Sequence, residues 1–291
     1  MTYSIVARDP GTGELAVAVQ SHFFGVGRLC PFVRAGVGAV ATQASVDPAY
    51  GPLGLGLMEA GKDPAHALAA LVAGDPASFS RQVAMVDATG KVAAHTGDKC
   101  IAEAAHITGD GWSVQANMMT TTGVPEAMAE AFQSGSGTLV DRILAALDAA
   151  EEAGGDIRGR QSAALLVAPG ERGGVVGADR TWDLRVDDHP EPLAELRRLV
   201  KIKRAYDAGF LAGDPSEESI DLALAEVEEA TGGNLEMAFW AALTLAGTGR
   251  LEHARRLLDR CRKADERWIE LLRRLPAAGN LDPKTAEQLL G

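Results

Sequence analysis

Apolar residues fall into short runs separated by turn clusters up to residue 187, and into helical periods after that. The run Ile5-Val6-Ala7, the cluster Asp9-Pro10-Gly11-Thr12-Gly13 and the run Leu15 to Val19 predict a β-hairpin that opens at Thr2. A third strand of small residues, AGVGAVATQAS, ends near Ser45; small side chains without clean alternation suit a strand packed between layers. After the Asp47-Pro48 turn signal, PLGLGLMEAGKDPAHALAALVAG reads as helix broken near Asp63-Pro64. RQVAMVDATGKVAAHTGD gives a second hairpin around Asp87-Ala88-Thr89-Gly90, and GWSVQANMM another strand. Two helices follow, VPEAMAEAFQ and TLVDRILAALDAAEEAG, the second with Leu139, Ile143, Leu144 and Leu147 on one face. SAALLVAPG and TWDLRVDDH return to strands, with the glycine-rich GERGGVVG as the turn between them.

From Pro190 onward the apolar period is helical, with breaks at Gly232-Gly233 and Gly247-Thr248-Gly249. Strands in blocks separated by helices in blocks predict an α+β fold: two mainly antiparallel sheets covered by helices rather than alternating βαβ units. The change of texture divides the chain into a strand-bearing domain, residues 1–195, and a small all-helical domain, residues 196–291.

Composition narrows the function classes. At 291 residues, 46% hydrophobic and 23% charged, the chain can bury a substantial core. A net charge of −12 argues against a broad basic face for nucleic acid. The three cysteines, Cys30, Cys100 and Cys261, are far apart, with no CxxC and no zinc spacing, so neither a metal nor an organic cofactor is expected. Arg8, Asp9 and Glu14 interrupt the early apolar stretch, so no signal peptide or membrane span is read and a cytoplasmic location is expected.

Two motifs look like chemistry and are better read as structure. GLMEAGK, Gly56 to Lys62, has the spacing of a phosphate-binding loop, but Asp63 stands where a Ser or Thr should meet magnesium and the preceding segment is helical. GERGGVVG lacks the strand–loop–helix context of a dinucleotide fingerprint. Thr2 is different. If Met1 is removed, its α-amine, with a pKa near about 7.7 to 8, can take the proton from its own hydroxyl and turn a weak nucleophile into an active one.

MTYSIVARDPGTGELAVAVQSHFFGVG, AGVGAVATQASVDPAYGPLGL, GDIRGRQSAALLVA and WDLRVDDHPEPL together resemble the family known as domain of unknown function 1028, over roughly residues 2 to 195. The resemblance implies the four-layer αββα sandwich of the N-terminal nucleophile hydrolases. The helical remainder is similar to a peptidoglycan-binding-like appendage. Proteasome-type members of that superfamily use an early-strand lysine, whereas the first lysine here is Lys62, so the resemblance implies that Thr2 would rely on its own amine, aided by Ser21 or a water.

On this reading Thr2, Ser21 and Asn117 are the candidate catalytic residues, with Asn117 as oxyanion donor. His22, Gln43, Asp47, Tyr50, Arg158, Gln161 and Asp187 are the candidates for holding substrate, Asp187 having a salt bridge to Arg158 or Arg185 as its alternative role. The expected substrate is a small amide, carbamoyl compound or short peptide; the alternative is a non-catalytic cleft that binds a ligand or partner. A homodimer is the expected assembly. In the tail, Arg255, Arg256, Arg260, Arg262 and Lys263 form a local basic face, read as a solvated helix surface paired with Glu252 and Asp259.

Overall fold

The computed structural model describes residues 2–173, 180–211 and 216–291, and leaves the side chains of residues 208–211 undescribed. The chain divides into two compact units, Met1–Arg197 and Arg198–Gly291.

In the first unit, β1 (Thr2–Arg8) and β2 (Leu15–Ser21) form the hairpin at the start of the chain. Asp9 builds its turn by accepting from the amides of Gly11 and Thr12, each at 2.9 Å. β3 (Pro31–Arg34) and β4 (Gly38–Ala44) form a second hairpin, and α1 (Tyr50–Glu59) and α2 (Pro64–Gly74) follow. β5 (Arg81–Asp87) pairs with β6 (Val92–Thr96), and β7 (Ala105–Gly109) with β8 (Trp112–Asn117). Then come α3 (Val124–Ser134), α4 (Leu139–Glu152), β9 (Ser162–Ala168) and β10 (Trp182–Val186).

The strands build two antiparallel sheets. One has the order β10-β9-β2-β1-β8-β7 and the other β3-β4-β5-β6. The two sheets pack on each other, α1 and α2 pack on the smaller sheet, and α3 and α4 on the larger. The alternation of side chains along each strand sorts them between these surfaces. Val6, Val17, Val19, Ala39, Ala41, Ala84 and Val86 fill the space between the sheets. Val40, Val83 and Met85 turn the other way, into Tyr50, Leu55, Met58 and Leu68 of the helices. Glycine lets α1 come close: a Cβ at Gly51 would lie 2.3 Å from the Phe32 ring and one at Gly54 2.7 Å from the Met85 methyl. Helix ends follow local rules, with Asp63 capping α2 through the His66 amide and Thr138 and Asp141 forming a capping box on α4.

The short β3 and the edge strand β7 are absent from the sequence reading. The segment GLMEAGK is the end of α1 and its exit, as read. The turn GERGGVVG lies in part outside the described residues.

α5 (Pro192–Leu211) contains the boundary between the units. The second unit is all helical: α6 (Glu217–Thr231), α7 (Glu236–Gly247), α8 (Leu251–Ala264), α9 (Arg267–Arg274) and α10 (Pro283–Leu290). Phe239, Leu257, Leu258, Cys261, Leu272 and Leu289 form its core. The basic face of α8 is partnered mainly across to α6, Arg256 with Glu217 at 2.9 Å and Arg260 with Glu228, while its pairs with Glu252 and Asp259 are longer, at 4.0 and 3.8 Å. Among the described residues no helix is long and apolar enough to cross a membrane.

Candidate functional site

Between the sheets the packing changes character along the strands. Past Val6, Ala41 and Ala84 the inward positions become Thr2, Ser4, Gln43, Gln82, Ser113, Gln115 and Asn117, all of them buried. Strand register brings them together: Thr2 stands opposite Asn117, Ser4 opposite Gln115, and Gln43 opposite Gln82. So many polar groups removed from water are tolerable only if each finds a partner.

They do, in a directed chain. Ser113 donates to Gln115 Oε1 at 2.9 Å, Gln115 Nε2 to Ser4 Oγ at 2.6 Å, and Ser4 Oγ to Gln43 Oε1 at 2.6 Å. Gln43 Nε2 donates to the Thr2 carbonyl at 3.1 Å and to Gln82 Oε1 at 2.7 Å. Asn117 Nδ2 donates to the same two acceptors, at 3.3 and 2.9 Å. Gln82 is the hub, because its Nε2 goes on to Thr96 Oγ1, Ala105 O and Ala116 O. The Thr2 main chain is thus clamped from both sheets. Its hydroxyl, in turn, donates to Ser21 Oγ at 3.1 Å.

The far end of the chain reaches a histidine. Thr96 Oγ1 accepts from Gln82 Nε2 at 2.9 Å and lies within hydrogen-bond distance of His106 Nδ1, at 2.8 Å. Burial, and then the neighbouring His95, hold the His106 pKa below its ordinary value. A depressed histidine is fully stabilising above the unfolded value of about 6.5 and loses that contribution as pH falls, because the unfolded chain then binds the proton that the fold refuses. Thermal stability is therefore expected to start falling as pH drops below about 6.5, above the range where the lowered carboxyls of Asp75 and Asp183 titrate. Melting curves of His106→Gln should lack that drop; an unchanged pH dependence would refute it.

The remaining sequence candidates separate into groups. Gln43 and Asn117, read as a rim residue and an oxyanion donor, are buried, and both amide hydrogens of Asn117 are committed to Thr2 and Gln82. The geometry gives both the work of positioning Thr2. The His22 amide donates to Asp156 Oδ2 at 3.1 Å, and Arg158 pairs with the same buried carboxylate at 3.0 Å. Tyr50 is buried and lines, with Asp47 and Asp75, a cavity of about 360 Å³; its hydroxyl donates to Asp75 at 3.0 Å, and burial together with that carboxylate pushes the phenol up to about 12. Asp47 caps the following turn through the Ala49 amide and lies 3.9 Å from Arg81, whose firmer partner is Asp75 at 2.8 Å. Gln161 donates to Asp188 at 3.0 Å. Arg158 pairs with Asp156 and Arg185 with Asp183, and the Asp187 carbonyl accepts from the Gly25 amide at 2.9 Å.

Sequence reading missed Ser4, Gln82, Gln115, Arg81 and Asp156. Lys62, the first lysine, lines a groove of about 370 Å³ with Gly36 and Val37 at the opposite end of β4 from Gln43. Burial pushes the Cys100 thiol up, the reverse of what activates a cysteine nucleophile. Among the described residues no cluster of His, Cys, Asp and Glu could hold a metal ion.

A family model described as a family of unknown function, DUF1028, matches residues 2–196. The chain belongs to DUF1028. The matched segment holds every residue of the Thr2 network. A crystal structure of protein SPO2555 from Silicibacter pomeroyi, itself a DUF1028 protein, is 31% identical with a TM-score of 0.63, covering 75% of this chain and 90% of that one. The structure of Anbu (ancestral beta-subunit) from Yersinia bercovieri is also similar in part, at 11% identity and a TM-score of 0.35, over 74% of this chain and 100% of that one. No curated protein matches.

Proposed function

We propose that this DUF1028 protein is an N-terminal-threonine amidohydrolase, built on the four-layer αββα arrangement of the N-terminal nucleophile hydrolases and acting on a small amide, carbamoyl compound or short peptide. The supporting observation is the clamp on Thr2: its carbonyl is held by Gln43 and Asn117 and its hydroxyl by Ser21 at 3.1 Å, at the buried end of β1. Such restraint is what a near-attack geometry needs and what a frayed chain terminus does not have.

Removal of Met1 leaves the Thr2 α-amine beside its own hydroxyl. Thr2 Oγ1 attacks the substrate carbonyl carbon while the amine takes the hydroxyl proton. The C–N bond then breaks, the same proton passes to the leaving nitrogen, and an acyl ester remains on Thr2. Water hydrolyses that ester and releases the acid. Asn117 and Gln43 act as positioning residues, which leaves the developing oxyanion to main-chain amides.

Intact-mass measurement of the protein purified from its own cells tests the base. The expected mass is short by one methionine. A retained Met1 would acylate the proposed base and overturn this mechanism.

A further inference from the structure

Large apolar side chains left in water are informative when they gather around one opening. Among the described residues seven large apolar side chains are exposed; Leu53 lies on α1 and Leu222 on α6, and the other five are Phe23, Phe24, Phe79, Ile101 and Ile157, Phe24 by 66% and Ile157 by 62%. These five lie on connecting segments at the Thr2 end of the sheets. Phe23 and Phe24 directly follow Ser21 and His22 at the end of β2, and Ile157 lies on the segment that enters β9.

Those loops are stitched to the Thr2 site by hydrogen bonds. The His22 amide donates to Asp156 at 3.1 Å, tying the Phe23-Phe24 loop to the residue before Ile157. The Ile157 amide donates to Met118 O at 3.3 Å, and the Met118 amide to Ile101 O at 2.9 Å. Met118 directly follows Asn117, the strand partner of Thr2. The Lys99 amide donates to Phe79 O at 2.8 Å, extending the line to a fifth apolar residue. Ser162 Oγ accepts from the Val26 amide at 3.1 Å and donates to Phe23 O, which holds the aromatic pair from the β9 side. These five apolar residues, the collar, therefore share the Thr2 end of the sheets on segments tied by main-chain bonds to the residues beside Thr2 and Asn117.

We infer that this collar receives the acyl side of the substrate, and that the amide hydrolysed carries an aliphatic or aromatic group several carbons long. The inference rests on Thr2 being the nucleophile. A polar acyl group would leave the phenyl rings and isoleucines in water, whereas an apolar one is withdrawn from water with them.

Two measurements separate the inference from the reading it rests on. In the first, β-lactones bearing methyl, butyl or octyl groups are offered to the protein; attack by Thr2 Oγ1 opens the ring, leaves an ester, and puts the proton on the released hydroxyl. The acylation rate constant, followed by intact mass, is expected to rise at least about tenfold from methyl to octyl, well below the fourfold per methylene of full burial. In Phe24→Ser/Ile157→Ser the rise should flatten. A wild-type rate indifferent to chain length overturns the inference.

In the second, N-phenyl-1-naphthylamine, a neutral apolar dye, is titrated into the Thr2→Ala protein, where nucleophile chemistry plays no part. Binding weakened about tenfold in the double variant supports the collar, even if no lactone ever acylates Thr2 and the nucleophile reading falls. If instead sedimentation shows wild-type dimers that part in the double variant, with dye bound only after parting, the collar is a subunit contact and the inference is overturned.

Discussion

Replacing Thr2 by alanine is expected to abolish covalent acylation and any amide turnover, by a factor on the order of 10⁴ or more, as when a nucleophile is removed from a catalytic unit. The loss should occur without unfolding. The substitution removes the hydroxyl with its bond to Ser21 Oγ at 3.1 Å, worth about 1 kcal/mol, and the buried γ-methyl, worth about another 1 kcal/mol, while the main-chain clamp by Gln43 and Asn117 remains. Thr2→Ser keeps the nucleophile and should keep the reaction. Ser21→Ala removes only the partner of the hydroxyl, and should slow acylation without ending it. Intact mass after exposure to a β-lactone reads all three variants. Undiminished acylation of Thr2→Ala would place the nucleophile elsewhere and end the proposal.

The fold was legible wherever the chain states its own geometry. The Asp9 to Gly13 turn and the apolar runs beside it gave the first hairpin, and the Thr138 cap with Leu139, Ile143, Leu144 and Leu147 gave α4. Gly232 ends α6 in the left-handed conformation that its position in the sequence implied. β3 is four residues long and β7 is an edge strand with exposed positions, so neither carries enough apolar alternation to stand out.

The candidate site was legible only in part, for a related reason. Thr2 could be singled out because loss of Met1 would expose its amine, Ser21 because it ends a strand, and Asn117 as an amide in a strand of the same domain. Their helpers could not, because pairing between strands is not written in any one strand. Gln82 reads as an ordinary polar residue at the start of a hairpin until the β4–β5 register sets it opposite Gln43. Tyr50 shows the same limit: a tyrosine in a Pro/Gly-rich segment reads as a rim residue, and the sequence does not show that it also opens α1 and packs in the core. The aromatic pair Phe23-Phe24 was passed over in the sequence, because only its exposure in the fold gives it meaning.

Gln82 supports the sharpest test of the polar network itself. Gln82→Leu keeps the volume and removes a hub whose Oε1 accepts from Gln43 and Asn117 and whose Nε2 donates to Thr96, Ala105 O and Ala116 O. Stranding buried polar partners costs about 1–3 kcal/mol for each group left unsatisfied. Several of these partners keep other bonds, so a total of about 2–4 kcal/mol is expected, or a melting temperature lower by roughly 5–15 °C for a unit of this size. Gln82→Glu distinguishes a directed network from simple bulk. A carboxylate can still accept from Gln43 and Asn117 but would face two carbonyl oxygens with no proton to offer, so near neutral pH it should be at least as destabilising as leucine. Protonation restores a donor. The folded-state pKa of that glutamic acid is thus raised, and the variant should recover stability as pH falls below it, opposite in sign to the His106 effect in the unaltered protein. Equal, pH-independent melting of the Leu and Glu variants would mean that Gln82 fills space and that its hydrogen bonds do not hold Thr2 in place.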